Sequence, residues 1–445
     1  MTATIPNANS DGITEYLPKL MASEFPCSRA LVPATPFSRI EAPMTPTPDL
    51  PNATGTDSAA GRDRLLAALD AIADELQLEG PACDEAGKLT DRTMELLRDS
   101  GLGWTYVARD LGGLDLSAGD SALVFERFAY IDGAIGWTGG IFAGLGLFLA
   151  LFEKSVAKSL LADGVPNCSA TAYPNGRAVR VEGGYRITAS YSYCSGLPNA
   201  DYVLCNSLVF DGDQPVPGPP LMFLVPASEV TLKGNWDTIG LRGTGSVDFS
   251  VTDCFVPEHH AVSLFPPPGA PGTSTAGLQA VVHLGRQAWA SGITRRLLDE
   301  IASHATSEPR PGATRLADNP VFRTEYADFE LAYRSARALG AEVFAEVDAT
   351  LARGETLSRR LNTLLAGASV HMHDVSRDLA LWAFNKGGGT ALRAGKLQRV
   401  IRDAISGGQH AVASRSLLPD IGHELLGAPP ELQWIQTKLG VPPGM

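Results

Sequence analysis

Residues 387–414 read GGGTALRAGKLQRVIRDAISGGQHAVAS, and this stretch decides how the rest of the chain is interpreted. Three glycines come first, a basic segment of helical character follows, and a second glycine pair leads to His410. The first glycines are not a dinucleotide-binding fingerprint, because no strand precedes them and no GxGxxG is present. We expect them to let two helices meet tightly. On its own, His410 is either a polar residue at a helix start or a catalytic group.

Composition and charge exclude several classes of function. With 445 residues the chain is too long for one hydrophobic core, so two or three packed layers or subdomains are expected. Lysine and arginine total 36 against 49 acidic residues, and the formal charge of −13 argues against nucleic-acid binding. The most apolar segment, residues 134–152, is interrupted by glycines, so it is interpreted as a buried helix and not as a membrane span.

Neither the cysteines nor the histidines have the spacing of a metal site. The six cysteines contain no CxxC pair, and His259 and His260 are adjacent in the chain. His371 and His373 are two apart and point in different directions on a helix. No metal is therefore expected. The cysteines, together with the lack of a recognisable signal peptide, indicate free thiols in a reducing cytoplasm.

The composition changes at three places along the chain. Residues 1–60 are rich in proline and lack periodicity, which predicts an extended or disordered N-terminal extension. Residues 61–164 have apolar side chains at helical spacing and predict an α-helical domain. Residues 165–275 contain short β-rich runs separated by turn residues, typical of an antiparallel sandwich or barrel. Residues 276–445 predict long helices, so the order is α, then β, then α.

Local signals predict where individual helices begin and end. Gly101 is expected to end the second helix, and Ser117 or Asp120 to begin the third. Two helices are expected to meet near residue 132. In the last part of the chain we expect helices at about 276–305, 319–353, 355–386, 394–415 and 431–438. Their alanine-rich faces allow close approach in a bundle.

Three motifs in this order resemble the acyl-CoA dehydrogenase superfamily. They are GGLDLSAGD at 112–120, GLRGTGSVDFSVTDCFVP at 240–257 and GGGTALRAGKLQRVIRDA at 387–404. The resemblance implies an α+β fold with an N-terminal α domain, a central antiparallel β domain and a C-terminal four-helix bundle. Because members of this superfamily assemble through the bundle, it also implies a homotetramer.

Within that superfamily the chain resembles the two-component, group D flavin-dependent monooxygenases. This branch includes dibenzothiophene monooxygenase and the oxygenase component of p-hydroxyphenylacetate hydroxylase. The dehydrogenases commonly carry a glutamate soon after the Arg-Asp pair, whereas ISGGQHAVAS at 405–414 contains no carboxylate. The segments that resemble the monooxygenases are YCSG at 193–196, GNWDTIGLRGTGS at 234–246, LADNP at 316–320, GGQH at 407–410 and IGHELLG at 421–427.

The resemblance implies a reaction and two catalytic residues. Reduced flavin, FMNH2 or FADH2, comes from a separate NAD(P)H:flavin reductase and reacts with O2 to a C4a-hydroperoxide, which oxygenates a small aromatic or apolar substrate. Ser195 matches the hydroxyl that holds flavin N5, and His410 the group that hydrogen-bonds or protonates the peroxide. The alternatives are a turn role for Ser195, which precedes a glycine, and a core role for His410.

The same resemblance places five residues at the cofactor besides Ser195. Trp236 would offer a flat wall to the isoalloxazine or the substrate, or belong to the β-domain core. Ser169 and Thr171 lie where relatives touch the edge of the flavin ring. Arg310 and Arg315 lie where relatives contact the flavin phosphate, often across a subunit interface.

Two other functions stay open at this level. An acyl-CoA dehydrogenase-like FAD desaturase would need a base relocated to Glu126, Glu330 or Glu342. A protein that keeps the fold without flavin would act in binding or assembly. Related monooxygenases often carry a histidine near residues 141–148, which are apolar here, so a polar substrate contact would come from elsewhere. Tyr106 and Asn385 are the candidates for that contact.

Overall fold

The computed structural model describes residues 56–263, 273–309 and 311–427. Arg310, the helix expected at 431–438 and most of the expected N-terminal extension lie outside these residues. The first part of the described chain is helical. Its helices are α1 (Thr56–Ala86), α2 (Asp91–Ser100), α3 (Ala118–Ile131), α4 (Gly133–Ala143), α5 (Leu145–Leu149) and α6 (Lys154–Leu160).

Short polar side chains and a glycine define the helix ends of this part, as the sequence predicted. Thr90 precedes α2 and accepts a hydrogen bond from the N–H three residues ahead, and α2 ends at Gly101, whose φ is 76°. Ser117 begins α3 in the same way. Asp132 lies between α3 and α4 and caps α4, which confirms the predicted meeting point.

Helix α1 begins earlier than the sequence predicted. Residues 56–60, which were assigned to the extension, are helical. The Ser58 hydroxyl donates to Asp120 Oδ2 at 2.5 Å and accepts the Ser117 N–H at 3.0 Å. These bonds join α1 to the start of α3 across the fold, and a local apolar pattern does not reveal them. The predicted boundary at residue 60 is therefore too late.

The middle of the chain forms one eight-stranded sheet in the order β6-β7-β2-β1-β3-β5-β8, with β4 paired to β3. The strands are β1 (Cys168–Val181), β2 (Gly184–Cys194), β3 (Tyr202–Asp211), β4 (Gln214–Pro215), β5 (Leu221–Pro226), β6 (Val230–Leu232), β7 (Val247–Pro257) and β8 (Ala261–Ser263). All pairs are antiparallel except β1 and β3, which are parallel. The chain reverses after β2 and adds β3 to the other edge of β1, so β3 runs in the direction of β1.

The sheet is apolar on both faces, because successive side chains of a strand point to opposite sides. Val203 of β3 lies in a cluster with Phe249 of β7, on the inner side of the sheet. Its neighbour Leu204 lies in a second cluster with Phe148 of α5. The second cluster fixes the sheet against the N-terminal helices, and the cavity described below lies along this contact.

The last part of the chain is helical, with α7 (Leu278–Thr306), α8 (Pro320–Ala352), α9 (Arg359–Leu392), α10 (Lys396–Gly407) and α11 (Leu418–Leu425). Helices α7 to α10 share one apolar core that includes Ile293, Leu379 and Leu397. The α, β, α order and the C-terminal helical bundle are thus confirmed. None of the described helices combines the length and the apolar run that a bilayer crossing requires.

The 387–414 stretch differs from its predicted form in two ways. Helix α9 continues to Leu392 through a kink at Gly388, whose φ of 49° and ψ of −129° favour glycine. The helix predicted over 394–415 ends at Gly407, so its last turns are wrong. A Cβ on Gly407 would lie 2.2 Å from the Trp289 ring, so only glycine permits this contact. The chain then leaves the helix and brings His410 to the cavity.

Candidate active site

A cavity of about 1120 Å³ lies between α3, α4, α7, the sheet and the segment after α10. Its lining is mostly apolar and aromatic. The described residues that line it include no aspartate and no glutamate. Apart from tyrosines and the thiol of Cys168, its ionisable side chains are Arg286 and His410. The cavity is therefore an apolar chamber with two basic groups.

His410 is held by its own backbone. It precedes the 3₁₀ turn Ala411–Ala413, and its Nδ1 accepts the Val412 N–H at 3.3 Å. Because Nδ1 accepts, the ring proton lies on Nε2. The ring stands edge-on to Trp137, with the centroids 5.5 Å apart. One nitrogen thus serves the turn, and the N–H of the other is left for a ligand.

The surroundings of His410 keep its ring neutral. Burial is the main cause and lowers its pKa to about 3; the nearby Arg286, His373 and His283 add to this effect. His410 is half-buried in the chain itself. At neutral pH it offers a hydrogen-bond donor at Nε2 and carries no charge.

Ser195 lies at the end of a directed hydrogen-bond chain. The Thr244 hydroxyl donates to the Leu241 carbonyl at 2.7 Å, so it accepts from Ser246 at 2.7 Å. Ser246 in turn accepts from Ser195 at 2.7 Å. Ser195 Oγ also accepts the indole N–H of Trp137 at 3.1 Å. A hydroxyl oxygen accepts two hydrogen bonds, so Ser195 keeps one acceptor position for a ligand N–H.

The loop that supplies this chain is anchored by the Arg402-Asp403 pair of α10. Leu241 has a φ of 54°, and its N–H donates to Asp403 Oδ1 at 2.6 Å. Arg402 donates to the Ile239 carbonyl at 2.7 Å and pairs with Asp84. Burial raises the pKa of Asp403 to about 8, and the neighbouring Asp132 adds to the rise. The motif that carried the resemblance thus holds the cavity loop in an unusual backbone conformation.

Trp236 and Tyr193 form an aromatic pair at the cavity. The Trp236 indole donates to the Leu241 carbonyl at 3.0 Å, and its ring lies 6.3 Å from that of Tyr193. Tyr193 is 77% exposed and has a φ of 60°, which is uncommon for a bulky residue. Both residues line the cavity. Exposed aromatic surface at this place suits a flat ring system.

Two residues at the centre of the site were missed by the sequence reasoning. Trp137 donates its N–H to Ser195, forms an edge-type ring contact with His410 and carries the Arg286 guanidinium 3.8 Å above its ring. Trp137 follows GAIG at 133–136, and Arg286 is the lone charge in residues 277–294. Both are signals that sequence reading offers, but neither stands in a motif with a known chemical role.

The other predicted site residues have different surroundings. Thr171 lines the cavity, whereas Ser169 is fully buried and donates to the Ser195 carbonyl at 2.8 Å. Arg315 is exposed, pairs with Asp318 at 3.1 Å and does not line the cavity of its own chain. Tyr106 lines the cavity and Asn385 is exposed on α9. The cofactor roles of these residues stay predictions, as does that of Arg310, which lies outside the described residues.

Helices, a central sheet and a helical bundle around such a cavity define the acyl-CoA dehydrogenase-like class of fold. Residues 284–415 match the family described as the acyl-CoA dehydrogenase C-terminal domain. The structure of XiaF from Streptomyces sp., in complex with FADH2 and glycerol, has the same fold. It superposes with a TM-score of 0.77 over 85% of this chain and 99% of that one, at 21% identity.

Individual relatives are oxygenases by name. The chain is 32% identical over 203 residues to the flavin-dependent monooxygenase oxygenase subunit HsaA of Mycobacterium tuberculosis. The matched residues cover 45% of this chain and 50% of that protein. The match thus spans half the length of this relative. The indole-3-acetate monooxygenase of Pseudomonas putida is 27% identical over 82% of this chain and 93% of its own. The resemblance that the motifs predicted is confirmed.

Proposed function

We propose that this protein is the oxygenase component of a two-component flavin-dependent monooxygenase. It takes reduced flavin, FMNH2 or FADH2, from a separate NAD(P)H:flavin reductase and uses O2 to oxygenate a small aromatic or apolar substrate. One observation carries the proposal. Ser195 with an open acceptor position and a neutral His410 both contact Trp137, in a cavity without a described carboxylate.

The residues of the cavity fit a reduced flavin. Reduced flavin carries an N–H at N5, and the remaining acceptor position of Ser195 suits such a donor. Trp236 and Tyr193 offer aromatic surface to the isoalloxazine. Ligand pockets usually measure about 300–1,000 Å³, so a cavity of about 1120 Å³ has room for a ring system and a small substrate together.

Each residue has a distinct task in this proposal. The bound reduced flavin supplies the electrons that activate O2. Ser195 holds the N5 proton in place, because its own proton is engaged by Ser246. His410 donates a hydrogen bond from Nε2 and stays neutral while it does so. The apolar lining excludes water, which would otherwise divert the reaction.

Dehydrogenation of an acyl thioester is less well supported. That reaction needs a base to remove a proton from carbon, and the described cavity lining has no carboxylate. The three candidates lie elsewhere. Glu126 pairs with Arg337, Glu330 pairs with Arg295, and Glu342 is exposed. A protein with the fold but without flavin would leave the open acceptor position of Ser195 without a ligand.

The proposal includes a homotetramer in the cytoplasm. Large apolar side chains are exposed on the bundle: Leu331 on α8, and Leu381, Phe384 and Leu392 on α9. A second copy of the chain would cover them. The resemblance independently implies that Arg315 lies at a subunit interface. The described cysteines are buried and free, which suits a reducing compartment.

The test follows flavin oxidation in a stopped-flow instrument. The protein is mixed anaerobically with FMNH2 or FADH2 and then with oxygenated buffer containing a panel of phenols, indoles and aryl carboxylates. A transient absorbance distinct from reduced and oxidised flavin, followed by oxygenated product, supports the proposal. Flavin oxidation at the rate seen without protein, with no product from any compound, contradicts it.

Two variants test the assigned roles. His410→Ala is expected to lower turnover about 100-fold, the usual effect of losing a hydrogen-bond donor to a reacting oxygen. Ser195→Ala is expected to uncouple the reaction, so that flavin oxidises faster and hydrogen peroxide replaces product. His423→Ala, an exposed histidine on α11, and Ser192→Ala, an exposed serine of the cavity lining, are the matched controls.

A further inference from the structure

Arg286 is a buried cation without a counterion. Its side chain is 6% exposed, lines the cavity, and Nη1 has no hydrogen-bond partner. No carboxylate among the residues that the structure describes lies within ion-pair distance of it. The guanidinium stacks on the Trp137 ring at 3.8 Å. This stacking uses one face of the guanidinium and leaves Nη1 for a ligand.

The other buried arginines show how unusual this is. Arg296 and Arg399 are 6% and 9% exposed, and each pairs with a carboxylate, Glu300 at 2.8 Å and Asp132 at 3.0 Å. A buried charge without a partner strongly destabilises the folded chain, so its presence calls for a ligand that completes it. Arg286 has no such partner within the described chain.

The groups packed around Arg286 are neutral and polar. Trp137 comes from α4, His283 from the preceding turn of α7, His373 from α9 and His410 from the segment after α10. Both ring nitrogens of His283 and Nε2 of His373 have no hydrogen-bond partner. None of these groups supplies a negative charge to Arg286, and among them Trp137 and His410 line the cavity. The uncompensated guanidinium therefore suits an incoming oxygen anion.

We propose that Arg286 binds the ionised oxygen group, carboxylate or phenolate, of an aromatic substrate in the cavity. The inference rests on the proposed function and narrows its substrate class from apolar or aromatic compounds to aryl anions. Arg286 and His410 contact the same indole, so an anion at Arg286 would hold the substrate ring beside His410. The guanidinium fork matches a carboxylate in two hydrogen bonds.

The first experiment compares two ligands of nearly equal shape. Binding of phenylacetate and of phenylacetamide to the full-length protein is measured by anaerobic calorimetry, with and without reduced flavin. We expect phenylacetate to bind about 10- to 100-fold more tightly, the range for hydrogen bonds to a charged group. Arg286→Met removes this preference, Arg286→Lys keeps part of it, and Arg64→Met, an exposed arginine of α1, leaves it unchanged.

A second probe reports the phenolate directly. The ionised form of 4-nitrophenol absorbs visible light, so its pKa in the complex can be read by titration. The protein is expected to lower that pKa, and Arg286→Met to restore the value in solution. A pKa that is the same in the protein and in buffer would contradict a phenolate site, and the carboxylate arm would then stand alone.

The thermal stability of Arg286→Met distinguishes a ligand-binding role of Arg286 from a structural role. If Arg286 serves a ligand, Arg286→Met leaves the thermal midpoint unchanged or higher, because an unpaired buried charge is removed. Equal binding of acid and amide by the parent chain and by Arg286→Lys overturns the inference, even if Arg286→Met does not fold. The inference is also overturned if Arg286→Met loses only the binding of reduced flavin, because that result would assign Arg286 to the cofactor.

Flavin binding distinguishes a failure of the aryl-anion proposal from a failure of the monooxygenase proposal. If the parent chain binds reduced flavin but binds acid and amide equally, the aryl-anion site is contradicted and the monooxygenase proposal stays intact. A preference for the acid in a chain that binds neither FMNH2 nor FADH2 would support the anion site and contradict the monooxygenase proposal.

Discussion

Two groups of buried polar side chains lie near the cavity and differ in one respect. In the anchor group, Asp132, Arg399 and Asp403, each side chain has a partner within the chain: Asp132 pairs with Arg399, and Asp403 accepts the Leu241 N–H. In the cavity group, Arg286 and His283 have polar atoms that find no partner among the described residues. Partnered side chains hold the backbone in the anchor group, whereas the unpartnered Arg286 lines the space where a ligand would lie.

Disrupting the anchor group is expected to lower the free energy of unfolding more than any other change proposed here. Asp132→Ala removes the cap of α4 and leaves the Arg399 guanidinium buried without its carboxylate. Loss of one partner of a buried pair costs about 3–5 kcal/mol, so the free energy of unfolding should fall by that amount in urea titrations. Asp213→Ala, which removes the exposed partner of Arg177, is the control and should change it little. Similar losses in both variants would refute the distinction.

Removing an unpartnered side chain of the cavity group should instead raise the free energy of unfolding. His283 is 1% exposed and both its ring nitrogens lack partners. His283→Leu is expected to raise the free energy of unfolding by about 1 kcal/mol, because an unsatisfied buried polar group is destabilising. His371→Leu, an exposed histidine of α9, is the control. A marked destabilisation by His283→Leu would show that this histidine serves the fold.

Asp403→Asn should have the smallest effect on the free energy of unfolding at neutral pH. It should, however, change how that free energy depends on pH. The folded pKa of Asp403 is about 8, above its unfolded value near 3.8, so the folded chain keeps a proton that the unfolded chain releases. Stability from this group is present below pH about 4 and is lost as the pH rises toward 8.

The asparagine variant lacks this loss. Its free energy of unfolding should therefore fall less than that of the parent between pH 5 and 8, as measured by urea unfolding at each pH. Asp237→Asn, an exposed carboxylate paired with Arg242, should follow the parent curve. Parallel curves for Asp403→Asn and the parent would contradict a protonated Asp403.

The same comparison explains what the sequence could predict. Helix caps such as Thr90 and Ser117 and the apolar periodicity are local signals, so the α, β, α order followed from them. The parallel pairing of β1 and β3 depends on how the chain returns after β2, which no local pattern encodes. The start of α1 depends on Ser58 meeting Asp120, residues far apart in the chain.

A residue's position at the cavity was predictable where a motif contained it and not where packing between helices placed it there. His410, Ser195 and Trp236 stood in recognisable segments, and the structure brings all three to one cavity. Trp137 and Arg286 act through contacts between α4 and α7, so their importance appears only when the helices are packed. Ser169 was expected at the flavin edge, and its hydroxyl reaches the Ser195 carbonyl from behind the cavity wall.

The hydrogen bond from Val412 to His410 also couples proton uptake to backbone movement. A second ring proton would have to occupy Nδ1, where it would meet the Val412 N–H at 3.3 Å. The 3₁₀ turn must therefore open before the imidazole becomes doubly protonated. Because the folded pKa of His410 is about 3, acidification below pH about 6.5 favours the unfolded chain at this position. Acid would then act on the protein at the rate of a conformational opening, much more slowly than a proton diffuses to an exposed ring.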